Sequence, residues 1–206
     1  MSMDVRKSFE KRLQETLRSD IDLKGVKIIR NEIVINQGDG KVGRIGFRFL
    51  SNANGYILSA SADSQEFQDF FRSMEPPYRP NIPTGLVFAM NTSMETEKLF
   101  SPNQGGAVTL PRDESEIEQT CQWICGKVKE IYLPRVLRVL NNSPKLIDDV
   151  IANPDYYSYP MLTVVFSALN GGAGFGGLNI DYILGRKFSK NKNYDSDLLR
   201  KFGGLV

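Results

Sequence analysis

The amino-acid sequence predicts an α+β fold, with an antiparallel sheet of about four or five strands over residues 26–110 and packing helices concentrated in residues 113–202. Three observations carry this reading. Strand-like alternation and turn dipeptides cluster between residues 26 and 61. Apolar residues at helical spacing, opened by capping acids, dominate from residue 113 onward. The chain also lacks the strand–helix alternation that a parallel sheet requires, and segregated strands and helices mean α+β.

The elements follow in order. Asp4 to Arg18 places Val5, Phe9, Leu13 and Leu17 at steps of four, which is an amphipathic helix with a narrow apolar stripe. Val26 to Asn36 is an Ile/Val-rich strand run that ends at Gln37-Gly38-Asp39-Gly40, whose Asp-Gly signals a hairpin. In Val42 to Leu50, Ile45, Phe47 and Phe49 point one way and Arg44, Gly46 and Arg48 the other. Asn52 to Gly55 turns the chain into a third strand, Tyr56 to Ser61. Asp63 and Glu66 resemble a capping box ahead of a helix carrying Phe67, Phe70, Phe71 and Met74. Pro76, Pro77, Pro80 and Pro83 then enforce an extended connection.

Gly85 to Met90 reads as a fourth strand and Ala107 to Leu110 as a short fifth, with one helical turn expected around Glu95 to Phe100. Asp113 and Glu116 form a second capping box, and Ile117, Cys121, Ile124, Val128 and Ile131 make a buried seam that continues with a kink at Pro134. Ser143-Pro144 opens a helix from Lys145 to Ala152. Pro160 to Leu169 fits a buried strand or a helix opened by proline, and its ten-residue length favours the helix. Leu178 to Phe188 reads as a helix, Ser189 to Tyr194 as a basic loop, and Asp195 to Phe202 as a last helix.

Composition bounds the function. The 206 residues are 41% hydrophobic and 24% charged, an ordinary globular balance that supports one full core, so a single domain over residues 1–206 is expected. The net charge of +2 supplies no strong field toward nucleic acid or membrane, and neither partner is expected. Arg135, Arg138, Arg186, Lys187, Lys190 and Lys192 are read as a solvated face because acids lie among them. The N-terminal segment is dense in charge, without the apolar stretch of a signal peptide, and no apolar run is long enough to span a bilayer. A cytoplasmic location is expected.

The chain has no histidine, which removes every His-based triad and the commonest metal ligand. Cys121 and Cys125, one helical turn apart, suit neither a disulfide nor a complete zinc site and are read as buried thiols. Asp148 and Asp149 are read as solvated helix residues. No cofactor and no metal are expected, and no catalytic residue is assigned. The alternative is a nucleotide- or dinucleotide-binding protein or enzyme. Gly172, Gly174 and Gly177 spell G-x-G-x-x-G within the loop 171–177, where small residues let a backbone approach a phosphate, and Asp195 or Asp197 stands near the spacing of a ribose-binding acid. The 29 residues after Gly177 are too few for the rest of such a sheet.

A protein that works by contact accounts for what remains. Tyr78 and Arg79 sit in the proline-stiffened stretch, and Tyr156, Tyr157 and Tyr159 sit in another loop. Tyr and Arg are enriched at interface hot spots, so these five are the candidate partner-binding residues. In size, composition and layout the chain resembles bacterial immunity proteins, which bind a toxin and occlude its active site. That resemblance, which no motif carries, implies a protein partner, a toxin or effector, bound through a few buried Tyr and Arg anchors.

Overall fold

The computed structural model describes residues 3–83, 85–93, 106–171, 174–176, 178–186 and 190–203. Helix α1 (Met3–Asp20) leads into strands β1 (Val26–Ile29), β2 (Glu32–Asn36), β3 (Val42–Leu50) and β4 (Gly55–Asp63). Helix α2 (Gln65–Met74) separates them from β5 (Phe88–Asn91) and β6 (Val108–Thr109). Helices α3 (Glu114–Lys127), α4 (Leu133–Leu140), α5 (Lys145–Ala152), α6 (Pro160–Asn170), α7 (Ile180–Leu184) and α8 (Lys192–Gly203) follow. The fold is α+β. The sheet has the order β1-β2-β3-β4-β5, and β6 pairs antiparallel with β4.

The expected single run over residues 26–36 is two strands. Arg30 takes a positive φ of 51° beside Asn31, so a two-residue turn folds β1 back on β2, with Ile29 opposite Glu32. β3 keeps most of the alternation predicted for it: Ile45 and Phe47 are buried while Arg44 and Arg48 are exposed, and Gly46 and Phe49 are half-buried. β5 begins only at Phe88, because Gly85 has a φ of 87° and breaks an extended backbone. The turn expected around Glu95 to Phe100 lies outside the described residues.

The chain divides into two compact units, each built from three separate stretches. The first comprises Met1–Gln37, Val42–Ser61 and Met90–Val136. Here α1 packs on α3, and of the predicted stripe Phe9, Leu13 and Leu17 are buried, as are Cys121, Ile124 and Val128, while Val5 is half-buried. Burying each large apolar side chain of this kind contributes about 1.5–3 kcal/mol. The Phe9 ring meets Tyr56 of β4 at 5.3 Å, and the Tyr56 hydroxyl donates to Glu10 at 2.6 Å. The kink expected at Pro134 is a π-helical turn, Val128–Tyr132, immediately before α4. Proline has no N–H and its ring crowds the preceding turn, so the chain widens there.

The second unit comprises Gly38–Lys41, Ala62–Ala89 and Leu137–Val206. Its centre is α6, where every residue from Pro160 to Ala168 is buried. A helix apolar all round belongs in a core, and continuous burial explains why strand and helix read alike from its sequence. α2, α5 and α8 each pack against α6. α7 is shorter than the predicted Leu178 to Phe188, with Asn179 accepting from the Tyr182 N–H as its cap and Gly185 closing it. α8 starts earlier than predicted, at Lys192, because Asn191 Oδ1 accepts from the Tyr194 N–H and serves as the cap. Among the described residues no helix is long and apolar enough to cross a membrane.

Candidate functional site

α2 positions a concavity in the second unit. Phe67 and Phe71 form its buried face, and the Phe67 ring stacks on Phe166 of α6 at 4.2 Å. The expected cap is corrected here: Ser64, not Asp63, is the N-cap residue, and the Asp63 carboxylate instead accepts from Gln68 Nε2 at 2.7 Å. At the other end Glu75 takes a left-handed conformation (φ 45°, ψ 58°) and donates its N–H to the Arg72 carbonyl. Pro76 and Pro77 then prevent the helix from resuming.

Between this last turn and the chain that faces it lies a groove of about 470 Å³. Phe71, Arg72 and Glu75 form one wall, and Pro76 and Pro80 line it from the extended connection. Gly85, Leu86, Ser158 and Tyr159 supply the opposite side. That side is held by Ser158, whose hydroxyl donates to the Leu86 carbonyl and whose N–H donates to Val87 O at 3.0 Å. The Asn81 N–H in turn donates to Ser158 O at 2.9 Å. This side of the groove is thus main chain held by the hydroxyl and the backbone of Ser158.

Charge in the groove is asymmetric. Arg72 is engaged, with Nη2 on the Asp69 carboxylate at 2.5 Å and Nε on the Gln68 carbonyl at 3.2 Å. Glu75 is the one carboxylate among the described lining residues, and its side chain makes no hydrogen bond or ion pair among the described residues. Tyr159 packs edge-on against Phe71 at 5.2 Å and is backed by Tyr78 at 6.1 Å, which meets Tyr194 at 6.0 Å. The Tyr78 hydroxyl donates to the buried Asp195 carboxylate at 3.1 Å, and the Tyr194 hydroxyl donates to the Met74 carbonyl at 2.8 Å. Burial raises the pKa of all three phenols above the ordinary 10, reinforced at Tyr78 and Tyr194 by the negative Asp195. They remain neutral donors across the physiological range.

The five tyrosine and arginine candidates therefore separate. Tyr159 lines the groove, Tyr78 supports it, and Arg79 lies exposed on the same connection, its carbonyl accepting from Lys190 Nζ at 3.3 Å. Tyr156 and Tyr157 are core residues: Tyr157 is 0% exposed and its hydroxyl donates to Asp149 at 2.8 Å. Asp149, expected to be solvated, is instead buried and reached by Arg138 at 3.5 Å and Asn153 Nδ2 at 2.9 Å, while Asp148 is exposed as expected. Sequence reasoning missed Phe71, Glu75, Leu86 and Ser158 as site residues. The signal available was the helix stop Glu75-Pro76-Pro77, which places the end of an aromatic helix beside a stiffened strand of chain.

In the glycine loop, Gly172 and Gly177 lie outside the described residues. Gly174 has a φ of 62° with open space around it, and Phe175 between the glycines is buried. The element before the loop is α6, a helix, whereas a dinucleotide loop follows a strand. Asp195 accepts from Tyr78, and Asp197 pairs with Arg200 at 3.8 Å. Among the described residues no three Cys, Asp or Glu side chains converge so as to hold a metal ion. No protein family, curated protein or solved structure compared with the chain matches it.

Proposed function

We propose that this chain is a protein-binding domain that acts by contact, seating a segment of a partner protein in the groove beside α2. The observation that carries the proposal is the groove itself, about 470 Å³ walled by Phe71, Tyr159, Leu86 and two prolines on a backbone already fixed by Ser158. Rigid apolar walls with a polar rim are the form of an anchor pocket at an interface, where a few well-packed side chains supply most of the affinity. Preorganisation lowers the ordering cost of association. The immunity-type role is the special case in which the partner is a toxin and the bound domain covers its active site.

Leu86→Arg, which fills the groove from its wall, tests this. The wild-type chain, used as bait on extracts of its source cells, is expected to retain one stoichiometric partner, and the Leu86→Arg chain, melting at the same temperature, is expected to lose it. A partner retained equally by both chains, or no partner for either, overturns the proposal. A captured enzyme whose activity vanishes at one-to-one stoichiometry identifies the immunity form.

A further inference from the structure

We infer that the groove selects a basic anchor, an arginine or lysine side chain presented by an extended segment of the partner. The inference rests on the groove being the docking site, and it adds the chemistry of what enters. Of the two charged groups among the described residues that line the groove, Arg72 is paired with Asp69, which leaves Glu75 as the charge without a partner among the described residues. The wall that carries Glu75 is the last turn of α2, the negative end of the helix dipole, where the Arg72 and Met74 carbonyls already accept from the Glu75 N–H and the Tyr194 hydroxyl. A cation is therefore favoured twice at the same place.

The rest of the groove suits the stem of such a side chain. Phe71 and Tyr159 lie edge to face, 5.2 Å apart, and aromatic rings attract a guanidinium or ammonium while packing against its methylenes. Glu75 also stands where glycine would fit better. Its φ of 45° lies in the left-handed region that an L side chain enters at a strain, and helix ends of this form are most often glycine. What Glu75 adds there over glycine is a carboxylate at the groove.

The probes are four fluorescein-labelled heptapeptides, Ser-Gly-Leu-Xaa-Leu-Gly-Ser with Xaa as Arg, Lys, Leu or Glu, titrated with the full chain by fluorescence polarisation. The Arg and Lys peptides are expected to bind at least about tenfold more tightly than the Glu peptide, with the gap narrowing as salt screens the charge. Glu75→Gln is expected to erase that preference. Glu75→Gly is expected to erase it while raising the melting temperature, a combination that a merely structural role for Glu75 does not produce. An Arg preference that survives both substitutions overturns the inference. Equal binding of all four peptides, each blocked by Leu86→Arg, overturns the basic anchor and leaves the docking site standing. A chain that binds none of the four at millimolar concentration overturns both.

Discussion

Asp149 shows how a single residue escapes sequence reasoning. It sits beside exposed Asp148 in α5, and helical spacing alone gives no reason to bury one acid and expose the other. The difference lies in the donors from Arg138, Asn153 and Tyr157 that surround it. A hydrogen bond to a charged, buried group is worth about 1.5–3 kcal/mol, so Tyr157→Phe, which keeps the ring and deletes the donor, is expected to destabilise the chain by about that amount. Urea denaturation measures it. An unchanged midpoint would mean that the remaining donors satisfy Asp149 without the phenol. The tyrosines teach the same lesson, since Tyr157 is closed in the core while Tyr159, two residues on, lines a groove.

At the scale of elements, local signals served well where the cap is local. Asp113 accepts from the N–H groups of Ser115 and Glu116 and is the N-cap of α3 as read, while Glu116 reaches back one residue beyond the cap, to the Arg112 N–H rather than that of Asp113. Hydrogen bonds from Ser115 lower the Asp113 pKa below its ordinary 3.8. Its contribution to stability is therefore complete above that ordinary value and is lost as the pH falls through the lower, folded one. Asp113→Ala is expected to melt below wild type at pH 7, with the difference closing in strong acid, as circular dichroism at both pH values would show. A gap that persists in acid would assign the loss to something other than the ionised cap. The box read at Asp63 fails for a physical reason: its carboxylate is taken by Gln68, and the helix starts one residue later.

For the whole molecule, the two compact units are interleaved along the chain, each assembled from three stretches, so no change in composition marks where one ends. The two thiols report on the first of them. Cys121 and Cys125 are free and buried, as the sequence suggests. Burial pushes the first up to about 12 and the second to about 11. At pH 8 both are protonated and shielded, so iodoacetamide is expected to label the native chain only through its opening. The labelling rate should climb with urea in step with the loss of helical signal. Rapid labelling without denaturant would show that α3 opens locally.

The α+β class, the turns at Gly38–Gly40 and Asn54 and the seam of α3 were legible in the sequence, because periodicity, caps and turn residues act within a few positions of one another, whereas the helical form of the run at Pro160 was decided by its burial on all sides. The groove, the burial of Asp195 and the division among the tyrosines belong to the tertiary structure alone. Tyr78 meets Asp195 across 117 positions and Ser158 meets Leu86 across 72. Whether a polar side chain is buried depends on the partner that satisfies it. Periodicity describes only the face an element offers, whereas a groove is made by the faces that other elements bring to it.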